Sequence, residues 1–318
     1  MEIVLMTRYP LIGVLFATTV LAGCASTPQG LDRIQDRASR EAVSTVRSGA
    51  TLIKEAEQQK SQAKAQETYR FAPAMTDSAN DYLNDAKQAR DKGKADNEVR
   101  ELALTALATF EKAQDHTLVA RETLAPSLAH LEVLNSIRAD TYYPSEYRAV
   151  NEDLDGIIRT LETTGAPASA SQTQRQLLLD MHDLEVRTIG FIQLQQTRNR
   201  IAAMREAGAE KLIPRSFSTA TTALASAEDL ISKAPRADAE IAAQREAAKT
   251  AADHAQIILA MSNEVLDADK DNAEALVLRI ERWLYNIAVA LKYPDIRHLP
   301  MDEQSRQLAE EIEGVIQR

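Results

Sequence analysis

The chain has 318 residues, 44% of them hydrophobic but only 4% aromatic, with a formal charge of −10 and a pI near 5.2. That acidity disfavours a nucleic-acid partner, because phosphate binding needs a basic surface to release counterions. A single cysteine excludes a disulfide framework, and the scarcity of rings calls for thin, distributed cores.

In chain order, Met6-Thr7-Arg8 supplies a positive flank and Leu11 to Leu21 an apolar run, closed by Leu21-Ala22-Gly23-Cys24. The run is too short to span a bilayer and has the proportions of a signal peptide. Leu-Ala-Gly-Cys resembles a lipobox, so residues 1–23 are read as a lipoprotein signal peptide and Cys24 as the lipidated residue, its palmitate and other acyl chains forming the anchor. Several acyl chains hold a protein stably at a membrane, where one is marginal. Ala25, standing where an inner-membrane lipoprotein often has aspartate, favours the outer membrane, with the chain facing the periplasm. Residues 24–30 are a short linker.

Residues 31–70 are expected to form an N-terminal helix, with Leu31, Ile34, Ala38, Val46, Ile53 and Ala56 on a helical period. Glu57 to Glu67 is almost wholly polar and reads as a solvated connector. Unbroken from Leu31 to Tyr69, this helix would reach about 58 Å.

Beyond it the sequence repeats. Pro73, Pro144 and Pro214 stand 71 and 70 residues apart, and each is followed by apolar residues at the same offsets: Ala79, Leu83, Ala86; Val150, Leu154, Ile157; Ala220, Leu224, Ala227. A second set recurs as Ala106, Phe110, Ala113, Ala120; Leu177, Met181, Leu184, Phe191; and Ala247, Ala251, His254, Met261. Three-and-four spacing marks a coiled-coil-like seam. Between the two sets, breaks around Gly93, Gly165 with Pro167, and Pro235 are turns. Asp96 or Asn97, Ser169 and Asp238 are candidate caps of the returning helices. Proline suits a first helical position, and the residue before it is pushed out of helical geometry. The expected fold is therefore all-α, an elongated array of three antiparallel helical hairpins at 71–140, 141–211 and 212–266. Pro126 and Gly190 should interrupt the first two returning arms.

Gly208 to Pro214 with Ala220, Leu224 and Ala227, and Ala72-Pro73 with Ala79, Leu83, Ala86 and Ala89, resemble an uncharacterised alanine-rich helical family of bacterial envelope lipoproteins. Some members carry an OmpA-type peptidoglycan-binding domain, and none is recognisable here. The resemblance implies a helical fold and an envelope compartment, without an activity.

Residues 272–318 form C-terminal helices. Leu276, Ile280, Trp283, Leu284, Ile287 and Leu291 make the strongest apolar stripe in the chain, an amphipathic helix that must be buried somewhere. It should pack across the third hairpin or dock a partner.

Chemistry is not signalled. There is no Gly-x-Ser-x-Gly turn, no His-Glu-x-x-His and no Gly-rich phosphate loop, and the five histidines stand singly. His254, on the expected seam, reads as a packed group. Acid pairs such as Asp153 with Asp155, and Glu310 with Glu311 and Glu313, read as solvated helix faces, as does the basic run Arg198, Arg200, Arg205, Lys211, Arg215. No catalytic, metal or cofactor site is expected. Tyr142 and Tyr143, together with Trp283, Leu284 and Ile287, are the candidate docking residues, since large amphipathic rings favour interfaces as well as helix junctions. The expected function is that of a non-enzymatic scaffold or adaptor for an envelope protein or the cell wall. The alternative is a carrier of a lipid or other apolar ligand.

Overall fold

The computed structural model describes residues 30–268 and 272–317, and among these it is wholly helical, with no strand. The helices are α1 (Leu31–Ser44), α2 (Gly49–Ala65), α3 (Thr68–Phe71), α4 (Pro73–Asp91), α5 (Asp96–Thr123), α6 (Ala125–Ser136) and α7 (Ala139–Tyr142). They continue as α8 (Pro144–Thr164), α9 (Pro167–Glu206), α10 (Ala209–Leu212), α11 (Pro214–Lys233), α12 (Asp238–Asp267), α13 (Ala273–Ala290) and α14 (Met301–Ile316). The described residues form two compact units, 30–133 with 145–181, and 134–144 with 182–268 and 272–317.

In the first unit α5 packs against α1, α2 and α4. Leu52, Ile53, Ala56, Leu83, Val99 and Phe110 belong to one buried cluster. Alanine at Ala79, Ala86, Ala103 and Ala106 lets the backbones approach, while each large side chain contributes about 1.5–3 kcal/mol by its burial. Glu162 of α8 is buried in the same unit. Its carboxylate accepts the N–H groups of Ala74 (3.1 Å) and Met75 (2.6 Å), donors left unpaired in the first turn of α4.

The single helix expected over 31–70 is divided into α1, α2 and α3. The break at Thr45–Ser48 is held from α5: Arg100 Nη1 donates to the Thr45 carbonyl (2.8 Å), and Asp96 Oδ1 accepts the Gly49 N–H (2.9 Å). Ser48 caps α2 by accepting the Thr51 N–H (3.2 Å). Asp96 therefore caps a neighbouring helix, whereas the residue capping position of α5 is Ala95; that of α12 is Ala237, one residue before the expected Asp238. Nor is the polar stretch 57–67 a free connector. Ala63 is fully buried, Glu57 pairs with Lys87 (2.9 Å), Gln59 accepts from Gln114 (3.2 Å), and Glu67 pairs with Arg121 (2.6 Å).

Each marker proline opens a helix, α4, α8 and α11. The stretch before each proline has one backbone recipe. Glu67 (φ 58°), Arg138 (φ 57°) and Gly208 (φ 80°) are left-handed and lead into the four-residue helices α3, α7 and α10. A pre-proline residue outside helical geometry follows, Ala72, Tyr143 or Ile213 (ψ 59°, 64° and 53°), whose N–H bonds the carbonyl of the first residue of the short helix at 2.8 Å in all three cases. That first residue, Thr68, Ala139 or Ala209, is fully buried.

The expected first-arm seam residues are buried, except for part-buried Leu224. In the return arms Ala106, Phe110 and Ala113, then Leu177, Met181 and Leu184, are buried as expected. The third set is displaced by one: Ala248, Ala252 and Ala255 are buried, while Ala247 and His254 are exposed. The cause is one extra residue between Pro214 and the start of α12, so the return arms keep a 71-residue spacing where the prolines give 70. A break does fall beside Pro126, between α5 and α6. Gly190, by contrast, lies inside unbroken α9, where an isolated helical glycine costs only about 1 kcal/mol and Arg198 Nη1 bonds its carbonyl (3.3 Å).

In the second unit α11 packs along α12, and Leu194 of α9 joins Ala227, Ile231, Ile241 and Ala248 in a buried cluster. Much of the expected solvated basic run is instead used here. Arg198 pairs with Glu228 (2.7 Å), Arg200 with Asp253, and Arg205 lies over the Phe217 ring. Fully buried Glu185 receives both Nε and Nη2 of Arg236 (2.7 and 3.0 Å), fixing the turn before α12 to α9.

Candidate functional site

Cys24, the residue expected to carry a lipid anchor, lies outside the described residues. Gly30, with φ 88°, precedes α1 directly. No helix among the described residues is long and apolar enough to cross a membrane.

Tyr142 ends α7 and Tyr143 is the pre-proline residue, so the junction geometry aims both rings. Phe191 of α9 meets Tyr142 at 5.4 Å and Tyr143 edge-on at 6.2 Å, while the Arg187 guanidinium lies 4.5 Å over the Tyr143 ring. Phe191, expected in the seam, is thus drawn to the tyrosines and stays partly open to solvent. Tyr142 remains exposed and borders a groove of about 420 Å³ with Arg138, Ile189, Ile192, Asp238 and Arg245. This pair combines junction packing with an accessible ring.

Trp283 and Ile287 stand on α13, whose only buried residue is Ala288. Leu284 and Leu291 turn toward α14 and pack around Ala288, Ile296 and Leu308. The other side of the stripe is open, with Trp283 46% and Ile287 43% exposed. Arg279 lies 5.8 Å from the Trp283 ring centre and donates both Nη1 and Nη2 to Glu264 at the end of α12 (2.6 and 2.7 Å). The guanidinium holds the Glu264 carboxyl below its ordinary value. Further along, Arg297 lies 4.4 Å over Tyr285, and its bonds to Asp295 bring that carboxyl down to about 2. The two aromatic sites share no lining residue.

Among the described residues no three His, Cys, Asp or Glu side chains stand together as metal ligands would. Asp153, Asp155 and Glu310 are exposed, and His116 is pushed below the usual histidine value by burial and then by Lys112. Seam positions are filled by Phe110, Leu83, Leu154, Ile157 and Met181. The apolar surface hollow at the end of α12, about 320 Å³, is bordered by Leu212, Ile258, Met261, Val265 and Leu266.

The buried carboxylates Glu162 and Glu185 escaped sequence reasoning, since nothing local separates them from the other acids. The left-handed junction positions carried a signal only at Gly208. No protein-family model, curated protein or solved structure matches this chain.

Proposed function

We propose that the chain is a lipid-anchored envelope protein that acts as a helical scaffold or adaptor for a protein or cell-wall partner, without enzymatic activity. The observation that carries the adaptor reading is α13, a helix that leaves Trp283 and Ile287 open to water although large apolar side chains are costly to expose. Tyr142 offers a second accessible ring. The body that presents them is, in this reading, an array of three copies of one hairpin opened by Pro73, Pro144 and Pro214. The shared left-handed junctions and the 71-residue return-arm spacing support it. Anchoring at Cys24, placement at the outer membrane facing the periplasm, and kinship with alanine-rich envelope lipoproteins are further parts of the proposal, supported by the lipobox-like sequence and the repeat residues. The charge of −10 argues against nucleic acid. Filled seams argue against the alternative of an apolar-ligand carrier, for which the surface hollow at the end of α12 is the apolar space to draw on among the described residues.

Two experiments test this. Metabolic labelling with a palmitate analogue should mark the native protein and not Cys24→Ala; equal labelling sinks the anchor. Photocrosslinking in cells from positions 142 and 283, followed by mass spectrometry, should recover defined proteins or cell-wall fragments. Recovery of lipid alone would replace the adaptor by the carrier.

A further inference from the structure

We propose that the groove beside Tyr142 takes an acidic peptide segment of the partner, with an Asp or Glu side-chain carboxylate set against Arg138 and Arg245 and a neighbouring apolar side chain on Ile189, Ile192 and Ile241. The inference rests on the adaptor reading at Tyr142 and deepens it; it is independent of the lipid anchor and of α13.

The first junction is sealed by an ion pair that the second one lacks. Before Pro73, Phe71 is buried at 3% exposure, Arg121 lies 5.1 Å over its ring, and the Glu67 carboxylate accepts Arg121 Nη2 at 2.6 Å. Each of these positions recurs 71 residues on, the step between Pro73 and Pro144: Phe71 becomes Tyr142, Arg121 becomes Ile192, and Glu67 becomes Arg138. A guanidinium therefore stands where the carboxylate was, and an isoleucine replaces the cation that answered it. The second ring is left open at 41% exposure, with Ile192 at 43%. The third junction has Gly208, Leu212 and Asn263 at these places and carries no charge on them, so the exchange belongs to the second junction.

Charge selects the occupant. Arg138 donates to the Thr141 hydroxyl (3.4 Å) and Arg245 to the Gln193 side-chain oxygen (2.9 Å), both neutral, and among the described residues neither guanidinium pairs with an acid. Asp238 borders the same groove, so two cations stand against one acid there, on a chain whose total is −10. A guanidinium holds a carboxylate through two parallel N–H bonds, about twice as strong as neutral ones. The excess of one positive charge suits a single carboxylate and disfavours an acidic tract, which Asp238 would repel. Ile189 and Ile241 add an apolar wall, which calls for an apolar side chain next to that carboxylate. The groove, about 420 Å³, falls within the range of about 300–1,000 Å³ usual for ligand sites. A phosphate would also suit two guanidinium groups; a peptide is favoured because the first junction completes the same spot with a glutamate side chain.

The test presents immobilised full-length protein with a library of hexapeptides, acetylated and amidated at their ends and carrying a benzophenone, so that side chains supply every charge and weak binding is trapped by light. Peptides joined to groove residues are sequenced by mass spectrometry. Those with one Asp or Glu within two residues of an aliphatic or aromatic side chain should exceed the same peptides bearing Asn or Gln by about ten-fold or more, as a hydrogen bond between charged groups implies. Arg138→Gln with Arg245→Gln should abolish the excess with helical circular dichroism unchanged, and Arg138→Glu with Arg245→Glu should turn it toward Lys and Arg. Capture of apolar peptides regardless of acid, or an excess that survives the two glutamines, would overturn the acidic occupant and leave Tyr142 as a docking residue. Binding of full-length Cys24→Ala to phosphatidylglycerol vesicles that the two glutamines abolish, with no acidic peptide captured, would assign the groove to a lipid headgroup instead. No capture at the groove would overturn the proposal, and crosslinking from position 142 in cells then decides separately whether the adaptor reading stands.

Discussion

Replacing Gly208 by alanine should destabilise the second unit, and replacing Arg138 by glycine should stabilise it. Both residues sit at the same backbone position of equivalent junctions, with φ of 80° and 57°. A left-handed conformation costs an L-residue about 1–2 kcal/mol, while glycine gives back about 0.4–1 kcal/mol through the greater freedom of its unfolded chain. Nothing lies within 4 Å of a Cβ built on Gly208, so the alanine methyl adds no clash and the effect is purely conformational. The net is a loss of about 1 kcal/mol for Gly208→Ala and a gain of about 0.5–1 kcal/mol for Arg138→Gly. Arg138 makes only a 3.4 Å bond to Thr141 in its own junction, so little is forfeited there. Urea unfolding followed by circular dichroism reads both, as opposite shifts of the midpoint at unchanged slope. Glu67→Gly should gain less, because it also removes the exposed Arg121 pair, worth up to about 1 kcal/mol. If Gly208→Ala left the midpoint in place, or if Gly208→Ala and Arg138→Gly shifted it the same way, the shared junction recipe would not be what holds these helices apart.

Gly49→Ala should cost about 1–3 kcal/mol by overpacking, against the roughly 1 kcal/mol that alanine ordinarily gains in a helix. Its Cβ would stand 2.5 Å from Val99 Cγ1, and Val99→Ala should rescue part of the loss; a stabilised Gly49→Ala would refute the close approach of α2 to α5. Burial raises the Glu162 carboxyl above its ordinary value of 4.5, with Asp77 adding to the rise, against the pull of the two backbone bonds. The folded state then binds the proton more readily than the unfolded one, so this contribution to stability is complete below about pH 4.5 and is lost as pH climbs through the raised value. Measured against Glu162→Gln, the native chain should become relatively more stable between pH 7 and 4.5, and the opposite slope would contradict the burial argument.

Much of the helical content was legible from spacing. Pro73, Pro144 and Pro214 open helices because proline's ring fixes a helical φ and its missing N–H is not needed in a first turn. Apolar residues three and four apart found one another because that interval returns to the same face. The division of residues 31–70 was not legible, since it depends on Arg100 and Asp96 reaching α1 and α2 from some 50 residues away. The one-residue displacement that exposes His254 also escaped, because an insertion in a turn leaves no mark on periodicity within either helix.

At the candidate sites the same limit applies. The sequence by itself determined that the chain is helical, where the three proline-led helices start, and that α13 carries an apolar stripe, because these follow from local sterics and from the periodicity of one element. Only the tertiary structure decided that α14 covers one side of that stripe and leaves Trp283 and Ile287 open, that Phe191 turns to Tyr142 and Tyr143, and that Glu162 and Glu185 are buried against backbone N–H groups and Arg236. The reason is physical. Burial and charge pairing are properties of surfaces brought together by distant segments, and no residue's own neighbours in sequence say which surface will arrive.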